Sequence, residues 1–434
     1  MEEQIGPDLS HPDSLIRLTS TVLRFRCPSI SEKAAKSINF LAAFHTVGTH
    51  PATRKVLKSA NSSRDYLVKA LSTKKKNVPH KTIASAAEAY IPNVNQLLLA
   101  CRIQPESARL DKRLIFEWST GIEEKERLFD SEAIMYELCM TVATQGMAVA
   151  GVGTDECTGG DFAGASRNFK KASGIFEFLG ETQLPLWQVK GGKMFDDALP
   201  AETKIGVCQA FKVLFLGIAQ QMAVATVLMK EGTPNWSLLA KLSLGISEMF
   251  EEYVLIMRNK AATTKSRMDP EFFTLMTFQI EVQKSLSLYF HARHYWEKEL
   301  DYGLAIAMLN KALSMMRVRD TPTGRGLPEI KAKSPLKAVE KDLNDVKKHM
   351  QKVLHAWEKD NSGIYYDSVP LKLPAEKKLA QGVRMMKPEP YELAVVEPVA
   401  LILPGGDNDG TSDASAVDSD YELAKQLQDQ LNAE

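Results

Sequence analysis

The sequence predicts a mainly all-α protein built as an open helical array, and three observations carry that prediction. Large apolar residues recur at helical spacing over most of the chain, strand-like runs are confined to one short segment, and 434 residues exceed what a single compact core normally serves. A solenoid escapes the last limit, because each helix pair needs to bury its apolar face only against its neighbours.

In chain order, the first informative segment is Leu114-Ile115-Phe116-Glu117-Trp118-Ser119, rich in β-branched and aromatic residues and expected to form a small strand element near 114–119. Helical stripes follow near 131–150 and 161–179. Between 211 and 222 the large apolar residues Phe211, Leu214, Phe215, Ile218 and Met222 paint one face of a helix. Gly232-Thr233-Pro234-Asn235 then supplies a turn with a helix start signal, and Leu238, Leu239, Leu242, Ile246, Met249, Phe250 and Tyr253 form the next stripe. Further stripes lie near 272–296, 301–316 and 335–357. Small residues at Gly303, Ala305 and Ala312 around Leu309, echoed at Gly164, Ala165 and Ala172 around Phe169, suit closely approaching helix pairs of a tetratricopeptide-like kind. From Ile364 to Leu403 six prolines, counting Pro404 just beyond, exclude a long helix, yet Tyr365, Val369, Leu371, Val383, Tyr391, Val395 and Leu401 remain to be buried. An extended C-terminal arm packed along the helices satisfies both facts.

Lys plus Arg and Asp plus Glu both number 54, so the formal charge is zero, but the sum hides an asymmetry. Residues 405–434 hold eight acidic side chains against Lys425 alone, a net −7, which leaves +7 on the rest. Residues 405–420 read as a flexible acidic tether after a domain spanning 1–404, and residues 421–434 as a short amphipathic helix. Five dispersed cysteines argue against a disulfide framework or structural zinc. The N-terminus lacks a secretory signal, and the most apolar stretches, near 141–152 and 221–229, fall short of a membrane span, so a soluble intracellular protein is expected.

Signatures of catalysis are missing. No dinucleotide or phosphate-binding glycine pattern, nucleophile elbow or zinc-protease motif occurs, and Gly151, Gly153, Gly159, Gly160 and Gly164 read as an interhelical loop. His291 and His294 share a helix face with Glu297 nearby, too few ligands to predict a metal, so no metal and no cofactor are expected. The basic cluster Lys74 to Lys76 and the lysines Lys331, Lys333, Lys337, Lys341, Lys347, Lys348 and Lys352 form either a solvated face or a contact for an anionic membrane surface. Without interleaved aromatics they do not suggest nucleic acid.

Three segments resemble the BRO-one domain family of Alix- and BROX-like, ESCRT-associated proteins. They are the order LIFEWS, SEAIMYELCMTVATQGMAVA, DFAGASRNFKKASGIFEFL; the turn NSGIYYDSVP at 361–370, similar to the family's Ile-Tyr-x-x-x-Val-Pro signature; and the helix pair at 205–253. The resemblance spans about 110–390 and is weak over 1–100. It implies a curved helical body around a tetratricopeptide-like core that binds the C-terminal helix of charged multivesicular body proteins, the ESCRT-III subunits, and so is recruited from the cytoplasm to endosomes. By local match, the family's contact positions fall at Leu238 and Leu242, with Ala223 where an aromatic is expected. A one-turn shift would instead offer Met222 or Leu228, and simple core packing is the competing reading of the two leucines. Losing the aromatic puts affinity or partner choice in question.

Asp420 to Gln428 resembles an inverted ubiquitin-interacting motif, with Leu423, Ala424, Leu427 and Gln428 as the contact residues for ubiquitin. A self-capping helix, or one folded back on the basic body, would use the same stripe. Together these features lead to a non-enzymatic endosomal-sorting adaptor binding ESCRT-III and, weakly, ubiquitin; the alternative is a helical-repeat scaffold of a pH-response-like signalling pathway. The sequence shows neither Alix's long coiled-coil arm nor BROX's prenylated Cys, so membrane attachment is expected through partners or the basic body.

Overall fold

The computed structural model describes residues 10–22, 24–31, 38–71, 78–108, 110–125, 127–187, 199–319, 326–330 and 334–401. The expected tether and tail helix, with Leu423, Ala424, Leu427 and Gln428, lie outside the described residues, as do Lys74 to Lys76, Lys331 and Lys333.

Twelve α-helices occur among the described residues, with one two-stranded sheet. They are α1 (Asp13–Thr19), α2 (Phe40–Ala43), α3 (Pro51–Leu71), α4 (His80–Ile103), α5 (Ile134–Thr158), α6 (Phe162–Phe178), α7 (Ile205–Leu228), α8 (Trp236–Lys260), α9 (Ala262–Arg267), α10 (Pro270–His294), α11 (Tyr302–Met315) and α12 (Glu340–Asp360). The long helices pack in chain order, α3 on α4, through α5, α6, α7 and α8, then α8 on α10, α10 on α11 and α11 on α12. This is the mainly helical array expected. The N-terminal helix α1 breaks the sequential order, packing on both α7 and α12.

Local chemistry explains where these helices start. Asp161, Asn235, Asp269 and Asp301 each accept a backbone N–H of the first turn of α6, α8, α10 and α11, and Pro270 opens α10 at a position where its missing N–H costs nothing. Leu300 and Tyr366 adopt left-handed conformations that close the turns after α10 and α12. The expected strand is β1 (Phe116–Ser119); its antiparallel partner β2 (Leu128–Ser131), in register Phe116↔Ser131 to Ser119↔Leu128, was not anticipated.

Three expectations need correction. Gly151 and Gly153 lie inside α5 and Gly164 inside α6; a Cβ at Gly153 would press on the Phe169 ring and one at Gly151 on the His80 ring, so these glycines admit close neighbours, and only Gly159 and Gly160 form the turn. Gly303 faces the arm rather than another helix. The third concerns membrane spans: α7 is long and apolar enough to cross one by length and composition, although 67% of its most apolar window is buried between α6 and its other neighbours.

The core is continuous along the array. Phe25, before α2, with Phe169 and Phe176 of α6, Phe211 and Phe215 of α7 and Tyr253 of α8, joins these elements through ring centroids 5.1–6.4 Å apart. Between α3, α4, β1 and α5 sits a buried polar node: Glu137 accepts from Arg64 Nε at 2.8 Å, Tyr90 Oη at 3.1 Å and Trp118 Nε1 at 2.6 Å. Residues 367–401 run across the array without an α-helix, interrupted by one 3-10 turn at Ala375–Lys377. Glycines on α11, α8 and α6 let the arm touch helix backbone: a Cβ would overlap the Ser368 carbonyl at Gly303, the Val383 carbonyl at Gly245 and the Glu389 carbonyl at Gly174. The arm ends on α3 and α4, where Gln104 bonds Val399 and Leu401, and Thr53 Oγ1 donates to the Ala400 carbonyl at 2.7 Å.

Candidate partner-binding site

The two helices that carry the expected contact residues, α7 and α8, form an antiparallel hairpin. Gln220 on α7 and Lys241 on α8 mark where the arm crosses it: Gln220 Nε2 donates to the Val383 carbonyl at 2.8 Å, Gln220 Oε1 accepts from Met385 N at 2.9 Å, and Val383 N donates to the Lys241 carbonyl at 2.9 Å. Ala223 lies three residues beyond Gln220, and Leu238 three before Lys241. Because the helices run in opposite directions, both are displaced the same way, one turn from the arm towards the hairpin turn.

The side chains are not equally accessible. Leu238 is 38% exposed and Ala223 half-buried, whereas Leu242 is 4% exposed and belongs to the core beneath. Four residues rotate a helical position by about 40°, which here is enough to carry Leu242 from the rim under the α7–α8 contact. The expected open Leu238–Leu242 strip is therefore a single exposed leucine over a buried one. Met222 and Leu228 are also core residues, at 0% and 2%, so neither replaces an exposed aromatic. Sequence reasoning missed Met229, 55% exposed just past the end of α7, and half-buried Val227, four residues from Ala223 on the same face. The helical spacing of Ala223, Val227 and Lys230 was a signal available for Val227.

The floor on the far side is aromatic and rigid. Trp236 stacks on Phe290 at 5.9 Å, donates to Glu297 Oε2 at 2.7 Å and lies under the Arg293 guanidinium, which itself pairs with Glu297 at 2.6 Å. Next to it on α10, His291 and His294 lie nearly parallel with centroids 6.4 Å apart, and Lys377 of the arm sits over Tyr295. Burial, with the neighbouring His294 and Lys241, pushes His291 down to about 4, so it is neutral at physiological pH. Among the described residues no group of three His, Cys, Asp or Glu side chains could hold a metal. The whole arrangement is an apolar step one turn from the arm, lined by Leu238, Ala223 and Val227.

Of the expected basic surface, Lys341, Lys348 and Lys352 are exposed along α12, Lys347 is half-buried and Lys337 pairs with Glu340.

No curated protein matches the chain in sequence. Among solved structures, the chain is similar to a Bro1 domain described as the basis for endosomal targeting (TM-score 0.61, 16% identity, covering 85% of this chain and 93% of that one). It is similar also to ALIX in complex with the SIVmac239 PYKEVTEDL late domain (TM-score 0.64, 15% identity, 88% and 50%) and to ALIX BRO1 in complex with CHMP4C (TM-score 0.63, 15% identity, 88% and 99%). At these identities the structures establish the helical fold. The model of the BRO1-like domain matches residues 39–407, from just before α2 past the end of the arm, and so the chain belongs to the BRO1-like domain family.

Proposed function

We propose that this protein is a non-enzymatic endosomal-sorting adaptor, and that the step at the α7–α8 hairpin end receives the C-terminal helix of an ESCRT-III subunit. The observation that carries the reading is that Leu238 stands exposed beside Ala223 on one face, one turn from the arm, in a family whose ALIX member has been solved with CHMP4C. An incoming helix would seat an apolar residue between Leu238, Ala223 and Val227, and the alanine leaves a shallow depression where the resemblance places an aromatic. The tail motif at Leu423, Ala424, Leu427 and Gln428 would add weak ubiquitin binding, and two weak contacts on one chain gain by avidity.

A pull-down with the CHMP4C C-terminal helix tests the site. Leu238→Asp should weaken binding about 30-fold or more, the scale of an interface anchor, at an unchanged melting temperature. Leu242→Asp is not a usable probe because it would place a charge in the core. Undiminished binding by folded Leu238→Asp would remove this site.

A further inference from the structure

We propose that the acidic tail, residues 405–434, lies back on the exposed basic face of α3 and is that face's resident partner in the free chain. Arg54, Lys55, Lys58 and Lys69 are all exposed, and with Ser62 and Tyr66 they recur every three or four residues, so they line one side of the helix. Asp65 is the one acidic residue on this stripe, and among the described residues none of the four cations is recorded in an ion pair. The opposite side of α3, with Thr53, Leu57, Ala60, Arg64 and Leu67, is buried. The face is therefore a cationic strip with Tyr66, 46% exposed, as its apolar element.

Two observations assign the occupant. The first is attachment: Thr53 holds the Ala400 carbonyl and Gln104 holds Leu401 N at 2.8 Å, so the last described residues of the arm sit at the first turn of α3 itself. A flexible chain of nineteen residues, the number from 402 to 420, would have a root-mean-square reach of about 24 Å. Lys69 lies sixteen residues along the helix from Thr53, about 24 Å away at 1.5 Å per residue. The linker can thus bring residues 421–434 alongside any part of the strip. The second is charge: the tail carries −7, and its apolar residues Leu423, Leu427 and Leu431 offer a stripe for Tyr66.

The competing basic surface, along α12, is poorly placed. It lies where the arm begins, whereas the last described residues of the arm, Ala400 and Leu401, are bonded to Thr53 of α3 and to Gln104.

Zero-length carbodiimide crosslinking of the full chain at low protein concentration, followed by peptide mass spectrometry, tests this. At low salt the monomer should show amide links from Asp407, Asp409, Asp413, Asp418, Asp420 or Glu422 to Lys55, Lys58 and Lys69. Their yield should fall about fivefold or more in 0.5 M NaCl, where the screening length is about 4 Å. The variant Arg54→Glu, altered at an exposed position and leaving all three lysines open to the reagent, should lower the yield of tail links to Lys55 and Lys58 and keep its melting temperature. The coupling of Lys212 to Glu177, 2.6 Å apart, reports that the reagent worked. Tail links to the α12 lysines, links found only in dimers, or no tail links while Lys212 couples would each overturn the assignment. So would sedimentation with phosphatidylserine vesicles that needs the three lysines in a chain lacking tail links, which would give the face to a membrane.

Discussion

Replacing Gly245 by alanine should detach the arm from the hairpin that carries the candidate site while leaving the helices intact. The crossing uses four hydrogen bonds: Gly382 N to Glu248 Oε1 at 2.9 Å, Val383 N to the Lys241 carbonyl at 2.9 Å, and Gln220 to the Val383 carbonyl and to Met385 N at 2.8 and 2.9 Å. A Cβ on Gly245 would overlap the Val383 carbonyl oxygen and stand 3.0 Å from Gln220 Nε2, and both Gly245 and Gly382 contribute main chain to the contact, so no flexible side chain can yield. At about 1 kcal/mol for each bond, losing the crossing removes about 4 kcal/mol of local stability, or about a thousandfold in amide protection. The same methyl favours the helix by up to about 1 kcal/mol, so the global melting temperature should hold or rise. Hydrogen exchange read at Val383 and Met385 separates the two effects: protection there should collapse while that of the α7 and α8 amides persists. Retained protection at Val383 in the folded variant would refute the argument that glycine is needed for backbone contact here.

Two buried carboxyls give further expectations. Burial raises Glu202 from 4.5 to about 7 although Thr120 and Gly121 N donate to it, so the native state keeps a proton that the unfolded chain releases over that interval. Its contribution is complete below pH about 4.5 and is lost as pH rises through about 7; Glu202→Gln should therefore melt above the parent at pH 8, by up to about 3 kcal/mol in stability, and near it at pH 5. Equal gaps at both pH values would contradict this. At the Glu137 node, Glu137→Leu strands the Arg64 guanidinium, 2% exposed, at a cost of about 3–5 kcal/mol, and Arg64→Met in the same chain should recover much of it. Urea midpoints that fall as far for the double variant as for the single one would show the charge is not the cause.

Much of this architecture was legible in residue spacing. The stripes Phe211 to Met222 and Leu239 to Tyr253 are the buried faces of α7 and α8, the prolines after Ile364 mark the arm, and Asn235 caps α8 as its position suggests. The α3 and α4 helices were harder to read: α3 buries Thr53, Ala60, Arg64 and Ala70 beside its leucines, and α4 carries Pro92, so the apolar signal is diluted. The strand β2 was missed because its four residues, Leu-Phe-Asp-Ser, alternate too briefly to register and exist as a strand only through β1.

The candidate site divides along the same line. Spacing places Leu238 and Leu242 near one another on a helix, because a helix is a local object whose geometry follows from the chain. Whether each leucine meets solvent is set by what packs against it, and α7, α10 and the arm come from residues tens to more than a hundred positions away; their arrival buries Leu242, leaves Leu238 and Met229 open, and turns Gly245 and Gly303 into seats for backbone. The sequence by itself determined the long helices from α5 onward, their order and the opposed charges of body and tail. The tertiary structure alone decided which apolar residues remain available to a partner and on which basic face the tail's tether begins, since exposure and proximity are properties of distant segments brought together.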